Sequence, residues 1–159
     1  YDLGVKYKSG CGDAALTVAV GNIDNRKERA IRYGLRALYE GIKVVKAGVS
    51  VSAIGKATET FANRNGYNVI KDYGGHHIGR EMHIEPLIPH YYDPKDDNVF
   101  LKEGDIICLE PILSPGSGRS VIAQEDGWTV FTKDRNICVM FEHMILVTKE
   151  GSEILTKHL

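Results

Sequence analysis

The sequence predicts an α+β fold. Three observations carry that prediction: a Gly-rich hairpin opens the chain, two amphipathic helical stretches follow, and the second half is a run of short apolar segments set off by turn residues. Helices and strands that are segregated along the chain pack as an antiparallel sheet with flanking helices. A length of 159 residues suits a single domain, residues 1–159, with room for a sizeable core.

Composition narrows the function classes. The chain is 43% hydrophobic and 26% charged with net charge −1, so no charge excess points to nucleic acid or to a membrane surface. No apolar run approaches the length of a membrane span, and the start carries no signal-peptide pattern. Cys11, Cys108 and Cys138 are odd in number and fit no zinc-knuckle spacing. They are expected to be free structural thiols in a reducing compartment, which means a cytoplasmic protein.

The elements are justified in order. Residues 1–8 and 14–21 read as two strands, the second on the alternation of Leu16, Val18 and Val20, around a turn of Lys8-Ser9-Gly10-Cys11-Gly12. Tyr1-Asp2-Leu3-Gly4-Val5 already reads like the interior of a strand, so this first element is expected to lack a neighbour. Asn22 is the expected cap of a helix from Asp24 to Lys46, with Ile31, Leu35, Leu38, Ile42 and Val45 on its apolar stripe. Arg26, Lys27, Arg32, Arg36 and Glu40 form its solvated face, and Gly48 ends it. Ser52 is the expected cap of a second helix that runs to about Asn65, with Ile54, Ala57 and Phe61 inward. Val69-Ile70 begins a short strand, residues 87–104 form a long Pro-rich connection, and strands are expected near 106–109, 119–124, 128–132 and 138–148.

The stretch that invites chemistry is Gly74-Gly75-His76-His77-Ile78-Gly79-Arg80, followed by Met82-His83-Ile84-Glu85-Pro86. Histidine is the commonest metal ligand, yet a His cluster alone is as readily a loop or packing feature. Acids elsewhere must complete a site. Asp2 and Asp13 lie on the hairpin, where each also reads as a plain surface or turn acid. Glu110 follows Ile106-Ile107-Cys108-Leu109, and Glu142 interrupts Val139-Met140-Phe141 and His143-Met144-Ile145-Leu146-Val147. A carboxylate in such a run either faces water or needs a partner, since burying it alone costs several kcal/mol, on the order of a whole domain's margin of stability. Four carboxylates and one imidazole suit two divalent ions of the Mn, Fe, Co or Zn kind, with charges that cancel. Such a pair lowers the pKa of a shared water.

These residues resemble, in order and over the length of the chain, a type I methionine aminopeptidase, within the wider family of pita-bread metallopeptidases. The motifs that carry the resemblance are Asp2, Gly12-Asp13, Gly75-His76-His77-Ile78-Gly79-Arg80, Met82-His83-Ile84-Glu85-Pro86, Leu109-Glu110-Pro111, Asp126-Gly127-Trp128-Thr129-Val130 with Thr132-Lys133-Asp134, and Phe141-Glu142-His143. The resemblance implies a pita-bread fold and removal of N-terminal methionine from peptides and nascent chains by a water that two metal ions activate. It implies Asp2 on one metal, Asp13 and Glu142 bridging both, and His76 and Glu110 on the other. Glu110 would also act as general base, His83 would hydrogen-bond the scissile amide, and Trp128 and Met82 would line the methionine pocket.

Several positions depart from the family pattern. His77 stands for a Gly, Met82 for an aromatic residue, and Gly4 and Ala14 for hydroxyl residues. The resemblance also implies that most of the first half of the catalytic domain precedes Asp2, so this chain corresponds to the C-terminal portion. The rest would come from the same or another chain, and sheet edges and apolar surface would stay uncovered here. Two other readings share the scaffold: an Xaa-Pro peptidase, which the Asp-Gly-Trp stretch disfavours, and a non-catalytic metal-binding or regulatory relative.

Overall fold

Hairpin, two helices and a strand-rich second half are all present in the computed structural model, which describes residues 1–157. Strands β1 (Asp2–Tyr7) and β2 (Gly10–Ala15) pair antiparallel. The turn is tighter than expected. Lys8 adopts a left-handed conformation (φ 52°), so Lys8 and Ser9 suffice and Cys11 and Gly12 fall inside the ladder. The second strand ends at Ala15 rather than near residue 21. Beyond it the Thr17 hydroxyl takes over, donating to the Met140 carbonyl at 2.7 Å and accepting the Met140 amide at 3.1 Å.

Helix α1 spans Asn25–Ile42 and is capped by Asp24, whose carboxylate accepts from the Lys27 amide, rather than by Asn22. It ends four residues before the expected Lys46, passing into tight turns at Val44 and Val45. Its buried face is Ala30, Gly34, Ala37, Leu38, Gly41 and Ile42, while Leu35 is 38% exposed. The face is rotated toward small residues because the helix lies close to the sheet: a Cβ on Gly34 would stand 2.7 Å from a Val139 methyl. Helix α2 spans Val51–Arg64 and is preceded by Ser50, not Ser52. Ser52 lies in its first turn and donates to Asp97 at 2.6 Å.

The remaining strands form an interrupted double sheet. One sheet contains β4 (Gly75–His77), β5 (Ile84–Ile88), β6 (Ile106–Leu109), β11 (His143–Val147) and β12 (Ser152–Ile154), in the order β12-β11-β6-β4-β5. A second contains β3 (Asn68–Val69), β7 (Ile112–Ser114) and β10 (Val139–Met140), in the order β10-β7-β3. A separate hairpin joins β8 (Ser120–Ile122) and β9 (Val130–Thr132). Strands β5, β7 and β12 were not expected from the sequence. Pro86 and Pro111 mask the first two, and β5 shortens the connection expected over 87–104.

The two sheets share their chain path. β6 and β7 are one strand broken at Glu110-Pro111, and β10 and β11 are one strand broken at Phe141-Glu142. The expected continuous strand 138–148 is therefore two pieces. Each break frees a backbone amide, which must find another acceptor. The Glu110 amide donates to His90 Nε2 at 3.0 Å, and the Glu142 amide donates to the Ala15 carbonyl on β2 at 2.8 Å.

The helices cover one face. Leu38, Ile42 and Ile54 pack with Ile107, Leu109, Ile145 and Val147, and α1 and α2 also enclose Val69, Leu113 and Val139. Alternation then turns Cys108, Glu110 and Met144 to the opposite face, where β2 lies across β11: the Asp13 amide meets Met144 Sδ at 3.3 Å. The outer strand β1 bonds only to β2, and Leu3, Val5 and Tyr7 on it are 68%, 49% and 71% exposed.

Candidate metal centre

Three adjacent strands set the floor of the site. In register across β4, β6 and β11, His76 faces Cys108 and Cys108 faces Met144. Directly opposed residues of an antiparallel pair share a face. Gly75 permits the close approach of β4 to β6, because a Cβ there would stand 2.1 Å from the Cys108 carbonyl. The hairpin contributes Asp13 from above, and the two strand breaks deliver Glu110 and Glu142.

Asp13, His76, Cys108 and Glu142 are all buried, and one donor atom from each lies within 4.8 Å of all the others. His76 Nε2 is 3.8 Å from Asp13 Oδ2 and 3.6 Å from Glu110 Oε1, while His76 Nδ1 bonds the His77 carbonyl at 3.0 Å. That contact leaves Nε2 free to face the acids. Asp2 is exposed and stands outside the four-residue group, on the same hairpin face as Asp13, which pairs with Gly4. With Glu110, Tyr73, Val130 and Met140 it lines a hollow of about 330 Å³.

The residues implied to touch substrate are placed less evenly. His83 packs edge-on against His76, with ring centroids 4.4 Å apart. Met82 reaches over Gly4: a Cβ added to Gly4 would stand 2.9 Å from Met82 Cε and 3.5 Å from Asp13 Oδ1. Two departures from the family pattern thus compensate each other, one supplying the space that the other fills. Trp128 sits in the β8–β9 turn, held by Asp126 at 2.9 Å, and is 84% exposed. It borders a neighbouring open hollow that shares Tyr73 and Val130 with the first. His77 points away from His76, bonding the Pro86 carbonyl at 3.1 Å and approaching Asp105 at 3.6 Å, so its extra bulk does not enter the cluster.

Three residues were missed from the sequence as members of this neighbourhood. His90, hidden in a Pro-rich connection, carries no periodic signal. Cys108 and Met144 do carry one: Cys108 lies two residues before Glu110 and Met144 two after Glu142, hence on their faces of the sheet.

The electrostatics follow from burial. Desolvation, then Glu142, Asp2 and Asp13 nearby, push Glu110 up to about 8. Burial and the Asp13 charge push Glu142 up to about 7. Burial, then Asp2, raises Asp13, and burial lowers His76. Burial also takes His90 down to about 3, which keeps its ring neutral and Nε2 an acceptor for the Glu110 amide. Crowded acids that resist ionisation are what a missing cation leaves behind. The sharpest sign is Glu142 Oε1, a buried carboxylate oxygen with no hydrogen-bond partner. The donor set of carboxylates, imidazole and thiol fits a divalent transition ion or zinc.

Comparison with known proteins agrees with this geometry. Residues 1–149 match the model of metallopeptidase family M24. Methionine aminopeptidase of Salmonella typhimurium is 42% identical over 145 residues, covering 91% of this chain and 54% of that protein. The chain thus spans about half the length of that curated relative. The crystal structure of methionine aminopeptidase from Thermotoga maritima superposes with TM-score 0.91 at 40% identity, covering 98% of this chain and 61% of the other. An Xaa-Pro dipeptidase from Bacillus anthracis superposes less closely, with TM-score 0.74 at 26% identity over 99% of this chain and 38% of the other.

Proposed function

The chain belongs to metallopeptidase family M24 and has the antiparallel pita-bread architecture of its relatives over part of their length, and from that premise we propose that it forms the metal-binding part of a cytoplasmic aminopeptidase that removes N-terminal methionine. Residues 1–159 read as one unit, the C-terminal part of the catalytic domain. The observation that carries the proposal is the convergence of Asp13, His76 and Glu142 on one point, with Glu110 beside His76 and Glu142 Oε1 unpartnered.

In this reading Asp13 and Glu142 bridge two divalent ions of the Co, Mn, Fe or Zn kind, Asp2 holds one, and His76 and Glu110 hold the other. The bound ions would supply an activated water and polarise a peptide carbonyl. Glu110, already inclined to hold a proton, accepts one from that water on its carboxylate. His83, beside His76, donates to the scissile amide. Met82 borders the acids, while the exposed Trp128 needs a further surface to close a pocket around a methionine side chain. That surface would come from the preceding half of the catalytic domain, in the same or another chain. Peptide and nascent-chain N-termini are the expected substrates, with no nucleic-acid or membrane partner.

The test is metal content and hydrolysis of Met-peptides and Xaa-Pro peptides, measured on this chain alone and with the complementary half added. Metal binding with Met-peptide turnover in the completed protein is expected. Turnover of Xaa-Pro peptides instead would overturn the substrate assignment. Metal binding without turnover in either form would favour a non-catalytic relative, a reading to which the openness around Trp128 lends some weight.

A further inference from the structure

The proposed metal set omits one buried donor that the fold places among its members. We propose that Cys108 is itself a metal ligand, its thiolate completing a buried set with Asp13, His76 and Glu142 that takes a thiophilic divalent ion. The inference rests on the reading of the site as a metal centre and adds a ligand that the sequence treats as structural.

Geometry is the first support. Cys108 sits in the middle of the floor, opposite His76 in register, and its Sγ lies within 4.8 Å of donor atoms of all three partners. Ligand atoms around a tetrahedral ion with bonds of about 2.0–2.3 Å are separated by about 3.3–3.8 Å. A contraction of about 1 Å across the cluster therefore closes the shell. All four side chains are buried, so no water competes for their positions.

The second support is independent of the cysteine. Glu142 is 2% exposed, and its Oε1 has no hydrogen-bond partner although it adjoins this group. A buried acceptor left bare implies a missing cation rather than a missing donor where its neighbours are acids and an imidazole. Packing alone also explains Cys108 poorly. An apolar residue of similar size would fill the same volume without bringing a titratable group among carboxylates.

The step is ordinary coordination. The S–H bond breaks, its proton passes to solvent, and the sulfur lone pair forms the bond to the ion, with no change of oxidation state. A thiolate among carboxylates shifts selectivity toward cobalt, zinc or cadmium and away from manganese or magnesium, because soft donors favour soft ions. The half-exposed Glu110 and the exposed Asp2 remain for a second, harder site.

The experiment uses the C11S/C138S chain, in which Cys108 is the sole thiol, titrated with Co2+ and followed by absorption and by metal content. Expected is a near-ultraviolet sulfur-to-cobalt charge-transfer band that saturates with the first ion bound and is lost in Cys108→Ser. Loss of cadmium affinity with manganese affinity retained is the matching expectation for Cys108→Ser. Stoichiometric cobalt binding with no such band would overturn the cysteine assignment and leave the metal centre standing. No cobalt bound to the folded chain would overturn both.

Discussion

At the scale of single residues, the site is a problem of buried charge. Glu142 has no partner for Oε1 and is crowded by Asp13. Glu142→Ala is expected to abolish metal binding by the chain, checked by metal content after dialysis, and to abolish metal-dependent turnover in the completed enzyme. Cys11→Ser should change little, since Cys11 only touches the Arg80 carbonyl at 3.5 Å. His90 has the opposite profile: it binds no substrate, yet it accepts the amide that the Glu110 break sets free. His90→Ala leaves a buried donor unpaired, so a loss of about 1–3 kcal/mol in unfolding free energy by denaturant titration is expected. Most of these residues were legible in the sequence because carboxylates inside apolar runs are conspicuous. His90 was not, since its role depends on a loop returning to a strand 20 residues away.

At the scale of elements, the helices are fitted by what they lack. Gly55 on α2 lies so close to the loop after β5 that a Cβ would stand 2.2 Å from the Tyr91 carbonyl. Gly55→Ala is expected to destabilise the chain by about 1–3 kcal/mol, measured as a lower denaturation midpoint at unchanged slope. The order of helices and strands was readable from periodicity, but the rotation of α1 was not. Apolar spacing pointed to Leu35, whereas contact distance to Val139 selected Gly34. The division of 138–148 into two strands was equally hidden, because Phe141-Glu142 continues an apolar run and only the carbonyl of Ala15 draws the Glu142 amide out of the ladder.

For the whole molecule, the crowded acids tie stability to pH. Glu110 and Glu142 are pushed up to about 8 and about 7, so the metal-free folded chain binds protons that the unfolded chain has already released. Stability of the metal-free chain should therefore fall as pH rises from about 6.5 to 8, a window in which unfolded histidines are already mostly neutral. Thermal melts across that window check this, and Glu110→Gln should flatten the slope. Added metal should raise the melting temperature more at pH 8 than at pH 6.5. The open strand β1, with Leu3, Val5 and Tyr7 bare, is expected to promote self-association that Val5→Lys reduces, as read by light scattering. The two interrupted strands have a consequence for the timing of local opening. The amides of Glu110 and Glu142 are tied not to their own sheets but to a loop imidazole and to the entry hairpin. Their deuterium uptake will thus report whether hairpin and loop are docked, exchanging with those outlying segments rather than with the ladders on either side.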